Sequence, residues 1–326
     1  MRVRIDTTMN PWIAIVNGET HTDATIRKAI ASLGPLPEPM IAYRCATLQS
    51  RSIKGDAQAA GLDLAIACVD LTTLEGADTT ERVHRLAARA VTPDPDDPSC
   101  PRPAAVCVYP SRVSDARKHL DALGGSDVAV ASVAGAFPSG LAPREVRLRE
   151  IEMAVADGAS EIDIVIDRGL LLAGRYSSVF DELRAARQAT GSARLKVILE
   201  TGELGSLDVI RHACWLAAAA GADFLKTSTG KSGTGATPTA AWVLANTAEQ
   251  YRLLTGRRVG VKISGGVRHA KDALRYMLII ADQLGTEGLH PAWFRIGASS
   301  LLDDLCAQRR FHATGRYWGA EYFPAS

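Results

Sequence analysis

Residues 223–228 read DFLKTS, and residues 229–231 continue as TGK. A short apolar run that holds one lysine and ends in a glycine-containing loop suits a buried parallel strand. Seven more runs of the same size recur around it. They are LAIACVD (64–70), AAVCVY (104–109), DVAVASV (127–133), EIDIVI (161–166), LKVILE (195–200), VGVKIS (259–264) and FRIGAS (294–299). The segments between them carry helical stripes. Ala241, Leu244, Ala245, Ala248 and Tyr251 form one, and Ala273, Met277, Ile280 and Leu284 another. Thr237-Pro238 reads as an N-cap followed by proline in the first helical position, with Gly256 as the stop. Eight strands spaced by roughly 33 residues predict an α/β chain folded as a (β/α)8 TIM barrel. The rival, a doubly wound open sheet, normally carries a glycine-rich turn after its first strand. Here that strand runs into Asp70-Leu71-Thr72-Thr73-Leu74, which has no glycine.

The rest of the chain fits one domain. Residues 1–60 are polar, poorly periodic and interrupted by GPLPEP at 34–39. They predict an N-terminal helical or irregular extension, a loose start and then a helix or two over one end of the barrel. The barrel itself is placed at 61–312 and a tail at 313–326. Of the 326 residues, 47% are hydrophobic and 22% charged, which argues against a largely disordered chain. Lys plus Arg number 37 against 36 Asp plus Glu. This near-neutral balance gives no bulk attraction for nucleic acid or acidic membranes. The apolar run Trp12–Val16 is too short for a secretory leader, and the uncharged stretch 128–143 is broken by Gly135, Pro138 and Gly140. Six cysteines without CxxC spacing predict reduced thiols and a cytoplasmic location.

Barrel enzymes carry their chemistry at the C-terminal ends of the strands. Two lysines stand out there, Lys226 and Lys262 on neighbouring strands. At the usual lysine pKa of about 10.4, only ~0.1% of the amine is neutral at pH 7.4, so a drop of about three units makes a nucleophile ~1000-fold more available, worth roughly 4 kcal/mol. Burial and a second cation both push that way. The structural alternative is that both lysines are ion-paired to Asp163 or Glu200. Gly265-Gly266 after strand seven and Gly297 with Ser299-Ser300 after strand eight fit a phosphate cradle. Thr229-Gly230-Lys231-Ser232 is not a P-loop, because Leu225 stands where its first glycine belongs. None of the seven histidines falls at a strand end, which disfavours a zinc centre. Cys107 reads as a small core residue.

At these residues the chain resembles the deoxyribose-phosphate aldolase family. The segments that carry the likeness are DLTTL (70–74), VCVYP (106–110), EIDIV (161–165), LKVILETGEL (195–204), DFLKTSTGK (223–231), GGVR (265–268) and FRIGASSLL (294–302). The long head and the TGRY at 314–317 look like the longer, eukaryote-like branch. The resemblance implies a metal-free class I lyase that reversibly cleaves 2-deoxy-D-ribose 5-phosphate to D-glyceraldehyde 3-phosphate and acetaldehyde. It implies Lys226 as the Schiff-base lysine, Lys262 as the lysine that lowers its pKa, and Asp163 as the acid/base group working with water. Asp70, Thr72 and Thr229 would contact the sugar. Gly230, Lys231, Gly265, Gly266, Gly297, Ser299 and Ser300 would hold the phosphate. No external cofactor is implied, and the partners are the phosphosugar and acetaldehyde rather than nucleic acid or membrane. Dimers are common in the family, so a homodimer is the assembly it suggests. Two features depart from or extend the pattern. Ile263-Ser264 replace the usual Pro-Ala before the glycine pair, and either Tyr317 or Tyr322 could serve as the tail tyrosine that assists proton transfer in some members. The competing readings are another Schiff-base barrel lyase or transaldolase-like enzyme on a different phosphosugar, and a non-catalytic sugar-phosphate-binding barrel.

Overall fold

Eight parallel strands close on themselves in sequence order, β1 pairing with β8. They are β1 Val69–Thr72, β2 Ala105–Val108, β3 Ala129–Ala134, β4 Glu161–Val165, β5 Arg194–Ile198, β6 Phe224–Lys226, β7 Gly260–Ser264 and β8 Phe294–Ala298. This computed structural model describes residues 10–18 and 21–316. The expected (β/α)8 barrel is therefore the fold observed, and each of the eight apolar runs contributes a strand. Closure leaves no unpaired strand edge.

The first run needs a correction. Residues 64–67 of LAIACVD finish a helix, and the strand starts only at Val69. A short apolar run has no period that separates a buried helix end from a buried strand. Here Leu62, Ala65 and Ile66 form a buried helical stripe, and the Cys68 N–H closes the helix on the Leu64 and Ala65 carbonyls.

The helices after the strands form the outer ring. They are α5 Thr80–Val91, α6 Val113–Ala122, α7 Arg144–Ala156, α8 Arg168–Leu172 with α9 Tyr176–Thr190, α10 Leu207–Ala219, α11 Pro238–Thr255, α12 Ala270–Leu284 and α13 Leu301–Thr314. The punctuation read around α11 is present. Thr237 accepts from the Ala240 N–H, Pro238 occupies the first turn, and Gly256 ends the helix at φ +76°. That left-handed geometry favours glycine.

The head of the chain holds more helix than expected. Among the described residues four helices precede β1: α1 Pro11–Val16, α2 Asp23–Ala31, α3 Glu38–Gln49 and α4 Asp56–Ala67. They pack on the outer helices α9 to α13. Trp12 is fully buried and stacks on Trp215 of α10 with ring centroids 5.0 Å apart. Gly61 lets α4 lie close to α12, since a Cβ there would sit 2.9 Å from Leu274 Cδ2. The borders drawn at 60/61 and 312/313 fall inside α4 and α13. No described helix is long and apolar enough to cross a membrane.

Candidate active site

Strand register brings the charged residues together. Lys226 on β6 stands opposite Lys262 on β7, Lys262 opposite Arg295 on β8, and Asp163 on β4 opposite Lys196 on β5. Seven ionisable side chains thereby meet inside the barrel: Asp70, Glu161, Asp163, Lys196, Lys226, Lys262 and Arg295. None is more than 4% exposed.

Their contacts are unequal. Lys196 Nζ lies 2.6 Å from Asp70 Oδ2, 2.5 Å from Glu161 Oε2 and 3.5 Å from Asp163 Oδ1. Lys262 Nζ lies 2.6 Å from Asp70 Oδ2 and 2.8 Å from Asp163 Oδ2. Arg295 joins Asp70 at 2.6 Å and Glu161 at 2.8 Å. Lys226 touches a single carboxylate, Asp163 Oδ2 at 2.8 Å. Three carboxylates thus face four basic groups, and the set is electrically balanced when one base is neutral. Buried charge without a counter-charge is costly, so the base with least anionic support is the one to lose its proton.

The pKa directions agree. Burial lowers the Lys226 amine, and the Lys262 charge lowers it further against the pull of Asp163. Burial also works against charge on Lys262, but Asp163 and Asp70 outweigh it and raise that amine well above the usual lysine value. Lys196 is raised by Asp163, Asp70 and Glu161, again against burial. For Asp70 and Asp163, burial is opposed by the surrounding cations, which hold both carboxyls well below the usual range.

Above this layer opens a cavity of about 280 Å³ at the C-terminal ends of the strands. Lys226 lies in its wall. So do Thr72, Thr229, Gly230, Lys231, Gly265, Gly266, Gly297, Ser299 and Ser300, which are the other predicted contact residues apart from Asp70. Asp163 and Lys262 are fully buried and lie outside the cavity wall. Asp70 is a correction. Expected against the sugar, it is fully buried below the cavity, with Lys196, Lys262 and Arg295 on its carboxylate. In this position it balances lysine charge.

The cradle depends on backbone shape. Gly265 and Gly266 have φ +88° and +85°, and the Gly265 carbonyl accepts from the Ala236 N–H at 3.0 Å. A Cβ at Gly235 would strike that carbonyl, so the loops after β6 and β7 interlock through glycine. Helix α13 begins directly after Ser299-Ser300, so a helix N-terminus faces this side of the cavity. The Ser264 hydroxyl donates to the Ser228 carbonyl, and its N–H donates to Thr227 Oγ1 at 3.0 Å. Ser264 therefore stitches β7 to the segment that directly follows β6.

Some working residues escaped the sequence reading. Lys196, Glu161 and Arg295 belong to the charge layer. Charge inside an apolar strand, the signal that marked Lys226 and Lys262, also marks Lys196 and Arg295. Glu200 does not pair with either lysine of the site. It adopts a left-handed φ of +54°, and its carboxylate takes the Thr229 N–H at 3.3 Å and the Thr229 hydroxyl at 2.5 Å, fixing the loop that carries Gly230 and Lys231. Glu75 bridges to Lys231 at 2.9 Å across the mouth. Arg82 and Arg268 also line the cavity. Cys107 is a fully buried core residue, as read. Tyr317 and Tyr322 lie outside the described residues.

Fold and site define a (β/α)8-barrel enzyme with a cavity-lining amine set over a buried carboxylate, beside glycine- and serine-rich loops. The chain belongs to the DeoC/LacD family of aldolases, whose family model matches residues 64–306. It is 44% identical over 298 residues to the deoxyribose-phosphate aldolase of Bos taurus, covering 89% of this chain and 93% of that protein. The Homo sapiens deoxyribose-phosphate aldolase is 44% identical over 297 residues, covering 88% and 93%. Among solved structures, the tetrameric deoxyribose phosphate aldolase of Aeropyrum pernix superposes with a TM-score of 0.61 at 27% identity, covering 84% of this chain and 99% of that one.

Proposed function

We propose that this chain reversibly cleaves 2-deoxy-D-ribose 5-phosphate to D-glyceraldehyde 3-phosphate and acetaldehyde through a Schiff base on Lys226. The observation that carries the reading is that Lys226 alone among the four buried bases both lines the cavity and has one carboxylate partner. Family membership and the named relatives support the substrate.

The chemistry follows from that placement. The neutral Lys226 amine attacks the sugar's C1 carbonyl, forming the C–N bond while the carbonyl oxygen takes a proton. Loss of water leaves a protonated imine. Breaking the C2–C3 bond sends its electron pair toward that cationic nitrogen, and the C3 hydroxyl proton is removed as the new aldehyde forms. The enamine left on Lys226 is protonated at C2 and hydrolysed, releasing acetaldehyde and the free amine. Asp163, held ionised by its cations, handles these protons with water. The cradle of Gly265, Gly266, Gly297, Ser299 and Ser300, with Gly230 and Lys231, takes the phosphate. Thr72 and Thr229 face the sugar. The lysine supplies the electron sink, so this reading invokes no metal or added cofactor.

Incubation with acetaldehyde and borohydride should add about 28 Da at Lys226, as expected for a reduced two-carbon imine. The adduct should be absent in Lys226→Leu. A mass gain that maps to another lysine overturns the assignment. Cleavage of another phosphosugar in preference to the deoxyribose ester would favour the other Schiff-base lyases.

A further inference from the structure

A second and larger concavity, about 510 Å³, lies where the head of the chain meets the ring. The loop between α3 and α4 forms one wall, and the first turns of α12 with part of α13 form the other. Its chemistry is segregated. Arg51, Lys54, Lys271 and Arg275 supply cationic groups, whereas Ile53, Leu62, Leu274 and Leu278 supply an apolar lining.

The cations are poorly compensated. Arg275 lies 3.6 Å from Asp272, and Asp304, the one carboxylate on the lining, is engaged by the Ala270 N–H at 2.6 Å. Among the described residues the Arg51, Lys54 and Lys271 side chains make no ion pair. In a chain of net charge +1, such a cluster is a local excess and not the spill of a basic protein. The walls are also set in place. His312 Nε2 lies 3.0 Å from the Gly55 carbonyl, and the Gly61 approach fixes α4 against α12. The volume falls in the range of small-molecule sites, which combine apolar lining with a few placed polar groups.

We propose that this groove is a second ligand site, separate from the catalytic cavity, for an organic phosphate of nucleotide size: the phosphate meets Arg51, Lys54 and Lys271, and a planar or apolar group lies on Leu274 and Leu278. This gives the N-terminal extension a role, since it contributes two of the cations. The proposal does not depend on the aldol reading.

Calorimetric titration of the full chain with AMP tests it, with adenosine and inorganic phosphate as the two partial probes. AMP should bind at least tenfold more tightly than either. Lys54→Glu combined with Lys271→Glu should weaken AMP at least tenfold and leave aldol cleavage without AMP unchanged, because both side chains are exposed and neither lines the catalytic cavity. Lys231→Ala, which alters the catalytic cavity, should leave AMP affinity as it is. Absence of AMP binding overturns the proposal. So does binding that Lys231→Ala abolishes while the groove variant retains it, because the nucleotide then sits in the catalytic cavity. Equal affinity for inorganic phosphate overturns the organic part, and equal affinity for adenosine the anionic part.

Discussion

Lys226 and Lys262 stand opposite each other across β6 and β7, and both amines lie 2.8 Å from the same oxygen, Asp163 Oδ2. Lys262 also holds Asp70 at 2.6 Å, a second anion that Lys226 lacks. The pair is therefore symmetric in sequence pattern and asymmetric in electrostatics. In the proposed mechanism that asymmetry suits Lys226 to covalent work and Lys262 to charge.

Removing the supporting charge should move the pH profile. In the proposed mechanism Lys226 reacts when neutral, so the rate should fall as pH drops through its lowered pKa. In Lys262→Met the neighbouring cation is gone, while Asp70 and Asp163 remain. Loss of that cation with the carboxylates retained favours the protonated form of Lys226, which then rebalances the three carboxylates. The variant should fold, lose most activity at neutral pH and regain part of it as pH rises. An acid limb of kcat/KM at the wild-type position would mean that Lys262 does not tune Lys226.

The complementary variant should separate stability from function. In Lys226→Leu the three carboxylates face three cations, and Asp163 Oδ2 keeps its bond from Lys262. The thermal midpoint should match or exceed that of the parent while turnover disappears. Loss of an essential buried ion-pair partner costs about 3–5 kcal/mol. A loss of that size in urea titration would show that Lys226 is charged in the folded enzyme.

Gly297 gives Lys262 its room. A Cβ there would lie 2.9 Å from Lys262 Cε and 3.0 Å from Ser264 Cβ. The lysine cannot retreat freely, because its ammonium is held by Asp70 and Asp163 and Ser264 is tied to β6. Gly297→Ala should therefore lower kcat by on the order of 10²-fold through displaced groups, with little change in the far-ultraviolet spectrum. Unchanged kcat would show that the site tolerates the methyl group.

Glu75 occupies the cation assigned to the substrate phosphate. The pair with Lys231 is partly exposed, at 57% and 30%, so it is worth no more than about 1 kcal/mol. Freeing Lys231 by Glu75→Gln should lower KM for the phosphosugar by roughly two- to fivefold, a gain that fades with added salt. An unphosphorylated deoxyribose should show no such gain. A KM that rises would assign Glu75 to substrate binding.

How much of this was legible depended on whether a local signal existed. Lys226 and Lys262 declared themselves because an ionisable group in an apolar strand needs a partner, and Asp163 was the partner. Lys196 and Arg295 carry the same mark, but each stands second in its apolar run, whereas Lys226 and Lys262 stand fourth, nearer the C-terminal ends that carry barrel chemistry. The barrel was legible from eight repeated apolar runs. The residues 64–67 were not, since four apolar residues look alike in a helix end and a strand. The four head helices and the Glu75–Lys231 bridge were also hidden. The head helices are fixed by packing on distant elements, as Trp12 is by Trp215, and the bridge by the meeting of two loops 156 positions apart.

All six cysteines are buried. Desolvation pushes the Cys45 thiol up to about 11 and Cys68 to about 12, and it raises Cys107 beside the lysine layer. Thiolates are the sulfur nucleophiles that capture electrophilic carbonyls. In a chain of an aldolase family, burial keeps Cys45, Cys68 and Cys107 as shielded thiols, and no cysteine lines the cavity where an aldehyde would be released.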